Sequence, residues 1–140
     1  MPQVLSAVKA LIEKDGKFLV VKMTVIDKEL WDLPGGKVEF GESPYETLHR
    51  EVKEETNLEV EINKTLGMFW FFRKKDGHQV VCNTFLCKPK HDNIDLTKNV
   101  TKESINEFRW VTKEEFLSNN FEVSHESLKE LISLNYDKRQ

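Results

Sequence analysis

The apolar positions of this chain fall mostly into short β-type runs broken by turn residues, with helical spacing confined to two stretches. Val4 to Glu13 and Lys17 to Val25 flank Asp15-Gly16, a pairing that predicts a β-hairpin. Leu66 to Arg73 and His78 to Lys88 flank Lys75-Asp76-Gly77, which predicts a second hairpin, and Glu59 to Ile62 predicts a short strand ahead of it. Ile105 to Val111 predicts one more strand. Tyr45, Leu48 and Val52 stand at i, i+3 and i+7 and give the apolar stripe of a helix. Ser43 is its N-cap, Pro44 fits its first position, and Glu46 completes a Ser-x-x-Glu capping box. Asn57 ends it in a left-handed conformation. Thr112-Lys113-Glu114-Glu115 starts a short helix. Ser124 caps a last one running to about Tyr136, with Leu128, Leu131, Ile132 and Asn135 facing inward. Lys90 to Thr101 reads as a polar surface loop and Asp137 to Gln140 as a frayed end. This mixture of strands and helices predicts an α/β fold, with helices packed on both sides of a sheet.

Composition narrows the picture without naming a chemistry. A chain of 140 residues suits one domain with one core. A net charge of −3 gives no general reason to expect binding to a nucleic-acid polymer. No apolar run approaches the ~20 residues of a membrane span, and no charged-then-apolar leader is present. Cys82 and Cys87 lie in one predicted strand at odd spacing, so they face opposite sides and do not pair. Free thiols without an export pattern point to the cytoplasm. The histidines at 49, 78, 91 and 125 form no metal-binding spacing.

The chemistry concentrates in residues 36–58. Glu51, Glu54 and Glu55 stand at i, i+3 and i+4 and share one face of the predicted helix. Like charges at that spacing cost a few tenths of a kcal/mol per pair, yet such a face supplies the oxygen ligands that a hard divalent cation takes. The segment is therefore a candidate Mg²⁺ site. Glu46, Arg50 and Glu54 form an i, i+4 ladder in which Arg50 holds Glu54. Leu33-Pro34-Gly35-Gly36 forces a bend just ahead, and adjacent glycines let backbone groups come close to a metal or a phosphate.

This segment resembles the Nudix box, Gly-x5-Glu-x7-Arg-Glu-apolar-x-Glu-Glu-x-Gly-apolar. Gly36, Glu42, Arg50, Glu51, Val52, Glu54, Glu55 and Leu58 match it, and Asn57 stands where the family usually has Gly. Trp31-Asp32-Leu33-Pro34-Gly35-Gly36 and Phe108-Arg109-Trp110-Val111 are further family-like features, so the resemblance covers most of the chain. It implies a single Nudix domain over 1–140, an α/β/α sandwich with a mixed β-sheet, and hydrolysis of a diphosphate linkage in a nucleoside diphosphate derivative. It implies Mg²⁺, with Mn²⁺ as an alternative, held by Glu51, Glu54, Glu55 and the Gly35 carbonyl. Arg50 orients the glutamates, Gly36 and Glu42 shape the loop, and Glu54 is the favoured general base. Glu103 and Glu107, before the Trp110 strand, are candidates for an extra base or ligand, with Asp92 and Asp95 weaker ones.

Resemblance to small MutT-like members implies a (d)NTP cleaved to (d)NMP and pyrophosphate. ADP-ribose or a nucleotide sugar is the alternative, although Leu66 to Val81 lacks the proline of many ADP-ribose enzymes. A nucleotide sensor without catalysis is the remaining reading. The expected partner is a small nucleotide, and the expected state a monomer or homodimer. Phe69-Trp70-Phe71-Phe72 predicts core packing on one face of a strand, with Trp70 or Phe72 the candidates to stack on a base. Trp31 is a second stacking candidate, and Asn83 a candidate for a base edge.

Overall fold

The computed structural model describes residues 1–25, 27–98 and 105–137. Its elements are β1 (Val4–Lys14), β2 (Lys17–Val25), β3 (Lys28–Asp32), β4 (Gly35–Lys37), α1 (Pro44–Thr56), β5 (Val60–Phe72), β6 (Gln79–Pro89), β7 (Ile105–Val111), α2 (Lys113–Leu117) and α3 (Glu126–Asn135). β1 is central. One edge pairs with β6 in parallel from Val4↔Gln79 to Ile12↔Cys87, and β5 lies antiparallel beyond β6. Its other edge is divided. β4 pairs with Ala7 to Lys9, and β2 pairs only with Glu13 and Lys14. The predicted first hairpin is therefore present at its turn, where Asp15 and Gly16 both take positive φ, but its strands soon part. Because β4 occupies the edge of β1, β2 builds an antiparallel unit with β3 and β7 instead.

β1 is covered on both sides, and every residue from Ala7 to Glu13 is buried. Alternation divides it between two cores. Ala7 and Leu11 join Phe18, Val20, Trp31, Leu33, Phe69 and Cys82 under Phe116 of α2 and Leu128, Leu131 and Ile132 of α3. Val8, Ala10 and Ile12 join Leu19, Phe85 and Cys87 under Leu48 and Val52 of α1. The result is the expected α/β/α sandwich with a mixed sheet. The two cysteines are free, buried and on opposite sides, as their spacing predicts. Burial pushes each thiol up to about 12.

Several local expectations change. The two strands predicted within Glu59 to Arg73 are one strand, with register shifts at Ile62/Lys64 and Thr65/Gly67. Gly67 has φ +148, and a Cβ there would come within 2.7 Å of Leu131, so the bulge lets α3 approach. Tyr45 does not continue the buried stripe of α1; it is exposed and tilts against Phe85. Ser124 does not cap α3. His125 is the N-cap residue and makes no side-chain cap. The chain before it is drawn onto β3 instead, with Trp31 N–H donating to the Glu122 carbonyl and Ser124 N–H to the Trp31 carbonyl. The predicted loop at 90–101 contains a 3₁₀ turn at Leu96–Lys98, and its last residues lie outside the described ones. Residues 138–140 of the predicted frayed end also lie outside them. Among the described residues, no helix is long and apolar enough to cross a membrane.

Candidate active site

The start of α1 is fixed by local chemistry. Ser43 Oγ accepts from Glu46 N–H at 3.1 Å, and Ser43 N–H donates to Glu46 Oε1 at 3.0 Å, which closes the predicted capping box. Asn57 ends the helix with φ 70°, and its N–H reaches the Lys53 carbonyl. Glycine is required where the preceding bend meets β1 and α1. Gly35 has φ +149, and a Cβ there would collide with the Val8 carbonyl. A Cβ on Gly36 would lie 2.5 Å from Glu51 Cδ. The missing side chain therefore makes the seat in which the Glu51 carboxylate rests.

Arg50 organises the acids. Its Nε and Nη2 donate to the two carboxylate oxygens of Glu42 at 2.8 and 2.9 Å, a bidentate pair. Its Nη1 donates to Glu51 at 3.1 Å and to Glu54 at 3.4 Å. The predicted rung from Arg50 to Glu46 is not made, because Glu46 is engaged with Ser43 and Glu42 takes the guanidinium. Thr47 Oγ1 adds a 2.9 Å hydrogen bond to Glu42. The Arg50 hydrogen bonds, chiefly, lower the Glu42 carboxyl to about 2, and the same bonds raise the guanidinium. Glu55 is buried, and its Oε1 accepts from Gly35 N–H at 3.1 Å, which ties helix to bend.

A second device steadies the bend, and pattern reading misses it. Lys9 is buried, and its Nζ donates to Asp32 Oδ2 and to the Leu33 carbonyl, both at 3.2 Å. Asp32 Oδ1 accepts from Leu33 N–H at 2.7 Å. The signal in the sequence is a lone lysine inside the apolar β1 run and an aspartate just before Leu33-Pro34. His125 is also missed. It stacks on Phe71 with ring centroids 3.5 Å apart and 7° between planes, and burial lowers its pKa.

Among the described residues, no three His, Cys, Asp or Glu side chains are drawn together as a metal cluster. The arrangement explains this: Arg50 Nη1 stands against Glu51 and Glu54, and Glu55 is turned to Gly35. The donor set still fits a hard divalent ion. It is oxygen-only, it lies on adjacent turns of one helix, and the absent Cβ of Gly36 leaves the Glu51 carboxylate room beside the bend.

The other predicted site residues among the described ones have surroundings of their own. Glu107, on β7, pairs with Lys22 at 3.1 Å, and Glu103 lies outside the described residues. Trp31 is buried against Phe121, with Lys22 and Arg109 over its ring at 5.1 and 5.7 Å. Protein groups thus pack against this ring. Trp70 and Phe72 project from β5 into solvent and meet edge to face at 5.5 Å. Asn83, half-buried on β6, stands opposite Met68.

Comparison with known proteins agrees with this fold. The chain is 30% identical over 118 residues to a MutT-like protein of Streptomyces ambofaciens, covering 84% of this chain and 70% of that one. It is 44% identical over 64 residues to an ADP-ribose pyrophosphatase of Methanocaldococcus jannaschii, a match spanning 45% of this chain and 38% of that protein. The crystal structure of a MutT protein from Methanosarcina mazei superposes with a TM-score of 0.79 at 27% identity, covering 95% of this chain and 93% of that one. The model of the NUDIX domain matches residues 2–132, and the chain belongs to that family of hydrolases.

Proposed function

We propose that this Nudix hydrolase is a Mg²⁺-dependent pyrophosphohydrolase that cleaves a (d)NTP to (d)NMP and pyrophosphate. One observation carries the reading: Arg50 spans Glu42, Glu51 and Glu54 at one corner, beside a bend held to α1 through Glu55. Glu51, Glu54, Glu55 and the Gly35 carbonyl are the groups that would hold the ion, with Mn²⁺ as a substitute. Bound there, such an ion would offset the charge of the phosphates and make an attacking water more acidic. Glu54 accepts the proton of that water as general base. Arg50 keeps Glu54 and Glu51 in place through its anchor on Glu42. Glu107 and Glu103 are the further candidates for base or ligand, and full turnover after replacing each with Gln removes it. The setting is cytoplasmic.

ADP-ribose is the second reading, favoured by the likeness to the archaeal ADP-ribose pyrophosphatase. The test is hydrolysis across (d)NTPs, oxidised (d)NTPs, ADP-ribose, nucleotide sugars and dinucleoside polyphosphates, with and without Mg²⁺, using Glu54→Gln as control. Pyrophosphate release from a triphosphate, lost in the control and without metal, is the expected result. Turnover of ADP-ribose alone keeps the machinery and replaces the substrate. Nucleotide binding without turnover makes the protein a sensor.

A further inference from the structure

The least explained surface of this molecule lies on β5. Met68, Trp70 and Phe72 alternate along the strand and point out on the side of the sheet that α1 covers farther along. They remain 65%, 50% and 62% exposed. Their partners in register on β6 are Asn83, Val81 and Gln79, and beyond Gln79 on β1 stands the exposed Val4. Tyr45, also exposed, closes one end over Phe85. Aromatic side chains carry 150–250 Å² each, so each of the two rings leaves about 100–150 Å² in water. With Met68, Val4 and Tyr45 the apolar face reaches roughly 500–600 Å². That is at the upper end of what a monomer normally leaves open.

We propose that this face is the contact surface of a twofold homodimer, with Trp70 at its centre. Three observations favour a second copy over another occupant. The first is area: two such faces together bury about 1,000–1,200 Å², which meets the lower bound for a specific protein–protein interface. The second concerns the strand edge. Ser127 Oγ accepts from Trp70 N–H at 3.3 Å and donates to the Trp70 carbonyl at 2.6 Å, and Asn135 Nδ2 donates to the Leu66 carbonyl at 3.2 Å. α3 thus engages backbone groups that an added peptide strand would need, leaving the side-chain face for docking. The third is charge. The hairpin beyond Phe72 presents exposed Lys74 and Lys75, while the other end, around Tyr45, carries exposed Glu39 and Glu46. A twofold axis near Trp70 sets the basic tip of each copy against the acidic end of the other. The proposal does not depend on the substrate or on turnover.

The test is sedimentation velocity from about 1 to about 200 μM, the range in which an interface of this size associates. The wild-type protein is expected to pass from monomer to dimer. Trp70→Asp is expected to weaken the dimer at least about tenfold, as for a central aromatic anchor, with its circular dichroism melt retained. Val81→Cys leaves Trp70 in place and is expected to give a disulfide-linked dimer under mild oxidation. Buried Cys82 and Cys87, with thiols pushed up to about 12, do not compete. A wild-type protein that stays monomeric at the highest concentration overturns the proposal. So does a dimer that Trp70→Asp leaves intact. A monomer in which Trp70→Asp abolishes nucleotide binding overturns it too, and makes the face a base platform.

Discussion

The two sides of the sheet differ in what they hold. Under α2 and α3 the contacts are aromatic and interlocked: Phe18 meets Phe116 and Tyr136 edge-on at 5.3 and 5.4 Å, and Phe116 meets Phe121 at 5.4 Å. Under α1 the core is smaller and mostly aliphatic, with Phe85 its one buried ring among the described residues, and the helix turns its charged face to the Gly35–Gly36 bend. One layer buries large rings; the other buries enough to fix a helix whose carboxylates are held by hydrogen bonds. Burial is non-directional, whereas charge-assisted hydrogen bonds fix orientation. A site that must hold several acids at set positions is better served by the second kind of contact. The sheet lets each layer do one task.

That contrast can be broken by substitution. The largest effect is expected from Phe18→Ala, a loss of about 3–5 kcal/mol in denaturant unfolding, with turnover per folded molecule little changed. Comparable damage to turnover at mild denaturant would show that the layers are coupled. Glu54→Gln is expected to do the reverse, lowering turnover about 100-fold or more while the melting temperature stays near wild type. Gly36→Ala places a methyl group 2.5 Å from Glu51 Cδ. About tenfold lower kcat with a normal fold is expected, since small displacements of a catalytic group cost this much or more. Thr112→Ala sharpens the contrast from the other side. It removes the side chain that caps α2, which accepts from Glu115 N–H at 3.1 Å, at a cost of about 1 kcal/mol and without loss of activity.

The smallest effect is in acid. Glu42 falls from its usual value near 4.5 to about 2 in the folded chain, so folding favours its ionised form. The linked stability is present in full above about pH 4.5 and is lost as pH falls towards 2. Glu42→Gln should flatten that part of the stability–pH curve, and an unchanged acid limb would mean that Arg50 does not hold Glu42 in solution.

The box was legible because its signals are local. Ser43, Pro44 and Glu46 act within one turn, Asn57 ends the helix by its own backbone, and i, i+3, i+4 spacing puts Glu51, Glu54 and Glu55 on one face. The odd spacing of Cys82 and Cys87 in one strand likewise set them on opposite sides of the sheet. Propensity and periodicity operate over a few residues, so they carry that much and no farther. Only the tertiary structure decided that β1 shares one edge between β4 and β2, that Ser124 serves β3 rather than α3, and that Glu42 rather than Glu46 holds Arg50. It also joined Lys9 to Asp32 across 23 positions of sequence and left Trp70 and Phe72 in water while Trp31 was covered. Each of these outcomes depends on which of several chemically suitable partners fits best at a shared edge or charge. That competition is settled by chain topology and steric room, which no local pattern encodes.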